Sequence, residues 1–236
     1  MEESTMCKRM ISSMLFTGLL FWGMVFAQGG TLMGTVSFEG EPPAPQPIKI
    51  TKDAKVCGKE PHYDESLLVG ENKGLQNVVV SVLNAPKGGD MSRLGSEFAV
   101  HQMGCVYTPH VLLVPVNAPL LIYNDDGILH NLHTYSKQNP SFNVSQPKFK
   151  KKVKKSFKYP ELITIKCDVH GWMVGYIKVV DHPYHAITNE KGEYKIEGLP
   201  PGTYQVEFWH EKLGAVQKEV TIEAGKATTL DLSMSL

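Results

Sequence analysis

The sequence has 236 residues, room for one large domain or two modest ones. Lys plus Arg and Asp plus Glu each number 24, so the formal charge is zero. That balance excludes a strongly basic nucleic-acid binder and an acidic disordered tail as descriptions of the whole chain. Apolar residues make up 42%, enough for a packed core, and 21 Gly with 15 Pro suit many short turns.

The first segment reads as an export signal. Lys8 and Arg9 precede an apolar stretch from Ile11 to Ala27, and Val25-Phe26-Ala27 offers modest side chains at a cleavage site. The expectation is a signal over residues 1–27 cut before Gln28, with an uncleaved anchor as the alternative. No apolar run of spanning length follows, so no integral membrane span is expected after cleavage. The expected location is periplasmic or secreted. Such a chain keeps Cys57, Cys105 and Cys167, an odd number. In an oxidising compartment two pair and the third has another task. Arithmetic allows any of the three pairings. The expectation is Cys57 with Cys105, because the neighbours of Cys167 single it out.

Strands are then predicted in chain order. Gly34–Phe38 alternates and breaks at Gly40-Glu41-Pro42-Pro43. Val78–Leu83 is a β-branched run. Val111–Val116 and Pro119–Tyr123 are two more, split by Asn117-Ala118. Leu162–Lys166 and Gly175–Val180 bracket a tight Cys/His/Met segment. No long window has helical periodicity, so the expected class is all-β. A second unit is predicted from His182 onward, where Glu193–Ile196, then Tyr204, Val206 and Phe208, then Val220 and Ile222, then Leu230, Leu232 and Met234 alternate between turns. The run from Thr188 to Tyr204 resembles the carboxypeptidase regulatory-like, prealbumin-like β-sandwich family, which implies structure or adhesion and no chemistry. The predicted division is 28–181 and 182–236.

The segment Cys167-Asp168-Val169-His170-Gly171-Trp172-Met173 gathers a thiolate, an imidazole and a thioether. Soft sulfur with borderline nitrogen suits copper, and two His, one Cys and a weak Met make a blue-copper set. A second His must come from elsewhere. Tyr123–His133 supplies it, an apolar strand running through a polar turn into His130-Asn131-Leu132-His133. Alternation sends residues three apart to opposite faces, which favours one of the two histidines, His130. A second loop Cys, a covalent-haem motif and a four-ligand zinc set are absent from the segment.

On these residues the chain resembles the cupredoxins, blue copper proteins of the amicyanin and plastocyanin type, best over 112–180. The resemblance implies a Greek-key β-sandwich holding one type 1 copper on His130, Cys167 and His170 with Met173 axial. It also implies that Asn131 ties the two ligand segments together, that His133 is a neighbour, and that the outer edge of His170 reaches the surface as an electron port. Trp172 stands beside that port. Leu129, Gly171 and Trp172 depart from the usual family residues. Seven lysines fall within 148–158. Lys150, Lys151, Lys152, Lys154 and Lys155 form a candidate landing patch for an acidic redox protein, such as a c-type cytochrome or dehydrogenase, or else a solvated edge strand. The expected role is electron carriage without catalysis. Copper storage or delivery, or a non-metal interaction module, are the alternatives.

Overall fold

The computed structural model describes residues 28–236, so the expected export signal at 1–27 lies outside the described residues. In chain order the strands begin with β1 (Gly30–Phe38), followed by a one-turn helix α1 (Ala54–Cys57) and β2 (Val79–Val82). Then come β3 (Phe98–Met103), β4 (Val106–Thr108), β5 (Val111–Pro115), β6 (Leu120–Asn124), β7 (His130–Tyr135), β8 (Asn143–Gln146), β9 (Lys152–Lys155), β10 (Glu161–Lys166) and β11 (Val174–Val180). The last group is β12 (His185–Ile187), β13 (Glu193–Leu199), β14 (Gly202–His210), β15 (Gly214–Ile222), β16 (Ala227–Thr229) and β17 (Leu232–Met234). The fold is all-β. No described helix is long and apolar enough to cross a membrane.

β3 to β11 form the first sandwich, from a sheet ordered β5-β11-β10-β7-β8 and a sheet ordered β4-β3-β6-β9. Period-two alternation drives it: Leu120 and Ile122 of β6, Leu132 of β7, Ile163 and Ile165 of β10 and Ile177 of β11 all turn into one core. Each such side chain contributes roughly 1.5–3 kcal/mol of transfer energy on burial. β9, the lysine strand, pairs only with β6 among the described strands and forms the sheet edge. Charge on that edge discourages pairing with another chain.

The second sandwich corrects the predicted division at 181/182. β1 lies between β13 and β16 and also pairs with β17, while β2 lies between β12 and β14. Leu32 and Val36 of β1 and Val80 and Val82 of β2 share a core with Ile196, Leu199, Val206 and Phe208. Two strands placed before residue 181 therefore belong with the last strands. The physical reason is core size, since some fifty residues bury too little apolar surface alone. β1 approaches the returning chain closely: a Cβ at Gly34 would lie 2.2 Å from Leu230 O. β2 is buried on both faces. Its Val79 turns instead into a seam with Val111, Leu113 and Val180 of the first sandwich. That double burial explains why Val78–Leu83 reads as a continuous apolar run rather than an alternation.

Candidate metal centre

Three strand ends build the site. β7 opens on His130. Its neighbour β10 runs antiparallel, with Lys166 opposite His133, so the residue after β10, Cys167, emerges beside the start of β7. The turn into β11 then carries His170 and Met173. It is closed by Cys167 N–H donating to Met173 O (3.2 Å) and Met173 N–H donating to His170 O (2.9 Å). His130, Cys167, His170 and Met173 are all at most 1% exposed.

The donor atoms converge. His130 Nδ1 and His170 Nδ1 are 3.0 Å apart, Cys167 Sγ is 3.9 Å from His170 Nδ1, and the three ligand atoms lie within 4.8 Å of one another. An ion with nitrogen at about 2.0 Å and sulfur at about 2.3 Å separates its donors by roughly 3–4 Å, so the spacing fits a metal. The outer nitrogens fit too. His130 Nε2 is 2.8 Å from Asp126 Oδ2 and His170 Nε2 is 2.9 Å from Asp53 Oδ2. A carboxylate only accepts, so each Nε2 carries a proton and each Nδ1 is the ring nitrogen turned inward, able to ligate an ion that displaces any proton on it. Burial opposes the charged form of His130, yet the Asp126 carboxylate and Cys167 hold its pKa up at about 9. Burial likewise pushes the Cys167 thiol up, but His130 and the backbone N–H groups of Asn131, His170 and Val169 outweigh it and favour the thiolate. Burial lowers the pKa of His170. The neighbours of the cluster thus favour the protonated form of His130 and the ionised form of Cys167, while burial favours the neutral form of His170.

Asn131 fastens the two segments. Its Oδ1 accepts from Asp168 N–H (2.8 Å) and Val169 N–H (3.3 Å), and its Nδ2 donates to Asn143 Oδ1 (2.8 Å) and Asp168 Oδ2 (3.0 Å). Tyr107 O–H donates to Asn131 O at 2.6 Å. His133 points away from the cluster and meets Asp168 Oδ1 at 3.2 Å. Trp172 Nε1–H donates to Cys105 O at 3.0 Å.

The electron port is a correction. His170 has no exposure, because Asp53 sits on its outer nitrogen. Asp53 precedes α1 with φ 50° and ψ 37°, a left-handed conformation that Asp tolerates. α1 is stapled beneath by a disulfide from Cys57 to Cys105. The sequence reading missed Asp53, Asp126, Asp168 and Asn143. Asp126 stood in the Asn-Asp-Asp turn four residues before His130, a usable signal. Asp53 is 117 residues from His170 and gave none.

Two further His/Cys/Asp groupings among the described residues, Cys57-Cys105-His170 and Cys105-Asp126-His130, include sulfurs consumed by the disulfide. Only Cys167 is a free thiol among the described cysteines.

Residues 176–235 match the carboxypeptidase regulatory-like domain. The match begins inside β11 of the first sandwich and does not include β1 and β2, which complete this domain's core. No curated protein sequence matches the chain. Solved structures similar to it include the copper-containing nitrite reductase of Thermus scotoductus, at 22% identity, 36% of this chain and TM-score 0.33; the chain spans 22% of that protein's length. A purple cupredoxin of Nitrosopumilus maritimus aligns at 20% identity over 36% of this chain and all of its own, with TM-score 0.31. An amicyanin variant with Cu(I) aligns at 15% identity over 43% of this chain and 98% of its own, with TM-score 0.32.

Proposed function

We propose that the chain is an exported, mononuclear type 1 copper protein that carries single electrons between periplasmic redox proteins and catalyses no reaction itself. The observation that carries this reading is the buried convergence of two imidazole Nδ1 atoms on one thiol sulfur, each imidazole braced from behind by a carboxylate. Soft sulfur with two nitrogens suits copper above the other common ions, and copper bound there supplies one-electron chemistry. His130, Cys167 and His170 would hold it, with Met173 as the weak fourth ligand. Asn131 keeps the His130 strand and the Cys167 turn at a fixed separation in either oxidation state, which keeps reorganisation small. Asp126 and Asp53 hold the imidazoles in one tautomer. Asp53 also keeps water from His170. The lysines of 150–155, of which Lys155 is half-buried and the others exposed, would steer an acidic partner such as a c-type cytochrome or dehydrogenase.

Copper titration tests this, with optical and EPR spectra of the wild type and Cys167→Ala. The expected result is an intense thiolate-to-copper absorption in the wild type and none in the variant. A colourless wild type would leave two β-sandwiches with a scaffolding role. A coloured protein that yields its copper at once to a mild chelator would be a delivery protein instead.

A further inference from the structure

A third histidine repeats the arrangement of the first two. His110 follows β4 and precedes β5, facing the second sandwich. Its Nε2 is bonded to Glu211, which stands at the turn after β14. The carboxylate again only accepts, so Nε2 carries a proton and Nδ1 is the nitrogen left for an ion, which on binding displaces any proton there. At His130 and His170 the corresponding Nδ1 atoms face each other. At His110 the Nδ1 is buried with no hydrogen-bond partner, on a side chain that is only 9% exposed. Buried polar atoms without partners are rare and point to something that belongs there.

What faces it is another carboxylate. Glu65 Oε2 lies 3.6 Å from His110 Nδ1, too far for a hydrogen bond. Both residues line a cavity of about 420 Å³ walled by the first sandwich and the chain before β2, to which the second sandwich contributes Glu211. Asp64 lines the same cavity and adds a further negative charge, while its Oδ1 accepts from Ser66 N–H at 2.8 Å. The basic residue on the wall, Lys166, holds its ammonium 5.5 Å over the Tyr135 ring. Nitrogen and oxygen donors at about 2.0–2.2 Å from a tetrahedral ion are roughly 3.4 Å apart, close to the gap between Nδ1 and the carboxylate. Trp172 and Met173 of the Cys167 turn also line the cavity.

The geometry points to a second metal site: a divalent transition-metal ion held by His110 Nδ1 and Glu65, with Glu211 bracing the imidazole from behind. The donors are nitrogen and oxygen without sulfur, a set suited to Cu(II) or Zn(II) with water completing the shell. The site joins residues of the first sandwich, of the 58–78 connection and of the carboxypeptidase regulatory-like domain. An ion there would therefore tie the two sandwiches together beside the first centre. This goes beyond the proposed function and does not depend on it.

The test uses the full chain saturated with Cu(II), freed of loose metal by gel filtration, with copper counted per chain and EPR recorded. Glu65→Gln is the informative variant, because Glu65 is 41% exposed and its loss leaves the core intact. The expected result is two ions in the wild type, one blue and one with the EPR of nitrogen and oxygen ligands. Glu65→Gln keeps the blue ion and loses the second or binds it at least tenfold more weakly, with an unchanged thermal midpoint without metal. Zn(II) in large excess during loading should compete for the second site, although Cu(II) is held more tightly at nitrogen and oxygen donors, and should leave the blue ion in place. One blue ion in both proteins overturns the second site, leaving His110–Glu211 a structural ion pair, and spares the proposed function. One colourless ion that Glu65→Gln removes supports this site and overturns the blue copper reading. No tightly held ion in either protein overturns both.

Discussion

Each sandwich holds a pair of neighbouring imidazoles. His130 and His170 have ring centroids 4.7 Å apart, and His182 and His185 have theirs 4.4 Å apart. The pairs differ in what stands behind them. Asp126 and Asp53 accept from the first pair. In the second, His185 Nδ1 meets the Ser81 hydroxyl and His182 Nδ1 accepts from Tyr184 N–H. Burial pushes His185 down to about 2 and lowers His182. Two histidines in contact are therefore not a metal site by proximity. The carboxylates behind them and a thiol within reach set the first pair apart. The second pair is neutral packing material in a scaffold.

Four experiments would break or sharpen that contrast. Replacing Cys57 and Cys105 together by Ser should have the largest effect. The bond closes a loop of 48 residues, worth about 4 kcal/mol in the chain-entropy model. Denaturant unfolding should show that loss in the first sandwich; an unchanged midpoint would mean α1 is held by packing alone. Asn131→Ala comes next, at about 2 kcal/mol, because it leaves the part-buried backbone N–H groups of Asp168 and Val169 without their acceptor. A stability loss without any spectral change in the copper-loaded protein would reduce Asn131 to a purely structural tie.

Acid should separate the pairs. His185 titrates lower in the folded state than in the unfolded one, so the unfolded chain takes up the proton first. The stability from keeping it neutral is complete above about pH 6.5 and is lost as pH falls toward 2, at up to about 1.4 kcal/mol per pH unit. His130 has the opposite sign: its contribution is complete below about pH 6.5 and is lost as pH rises through about 9. His185→Gln should flatten the acid limb of a stability-versus-pH curve and leave the alkaline limb alone; an unaltered acid limb would contradict the assignment. The smallest effect is expected from Asp53→Ala, which uncovers His170 at little cost in stability. Electron exchange with a small inorganic oxidant should rise a few-fold in the copper-loaded variant, and an unchanged rate would show that electrons enter by another face.

The strands with clean apolar alternation were legible, among them Leu120–Asn124, Glu161–Lys166 and Gly202–His210. So was the clustering of Cys167, His170 and Met173, because short spacing survives any fold. β9 was legible only as the alternative to a landing patch, a charged edge strand, since Lys152–Lys155 offers Val153 as its single apolar residue. β3 was obscured by Gln102, which is fully buried and bonds to Tyr123 O and Gln146 Oε1. The partners of β1 were out of reach for another reason. Alternation tells which face of a strand is buried and says nothing about which distant strand lies beside it. Asp53 behind His170 is the same difficulty on the scale of one side chain.

The embrace of β1 by β13, β16 and β17 governs the order of assembly. During synthesis this ribbon is made before the first sandwich and its neighbours after it, so its Leu32 and Val36 must wait bare while the whole intervening sandwich is produced. That wait is a long-range closure of the kind that slows folding and invites aggregation. The intervening sandwich has no such debt, and can shape its ligand pocket while the segments on either side are still searching for each other.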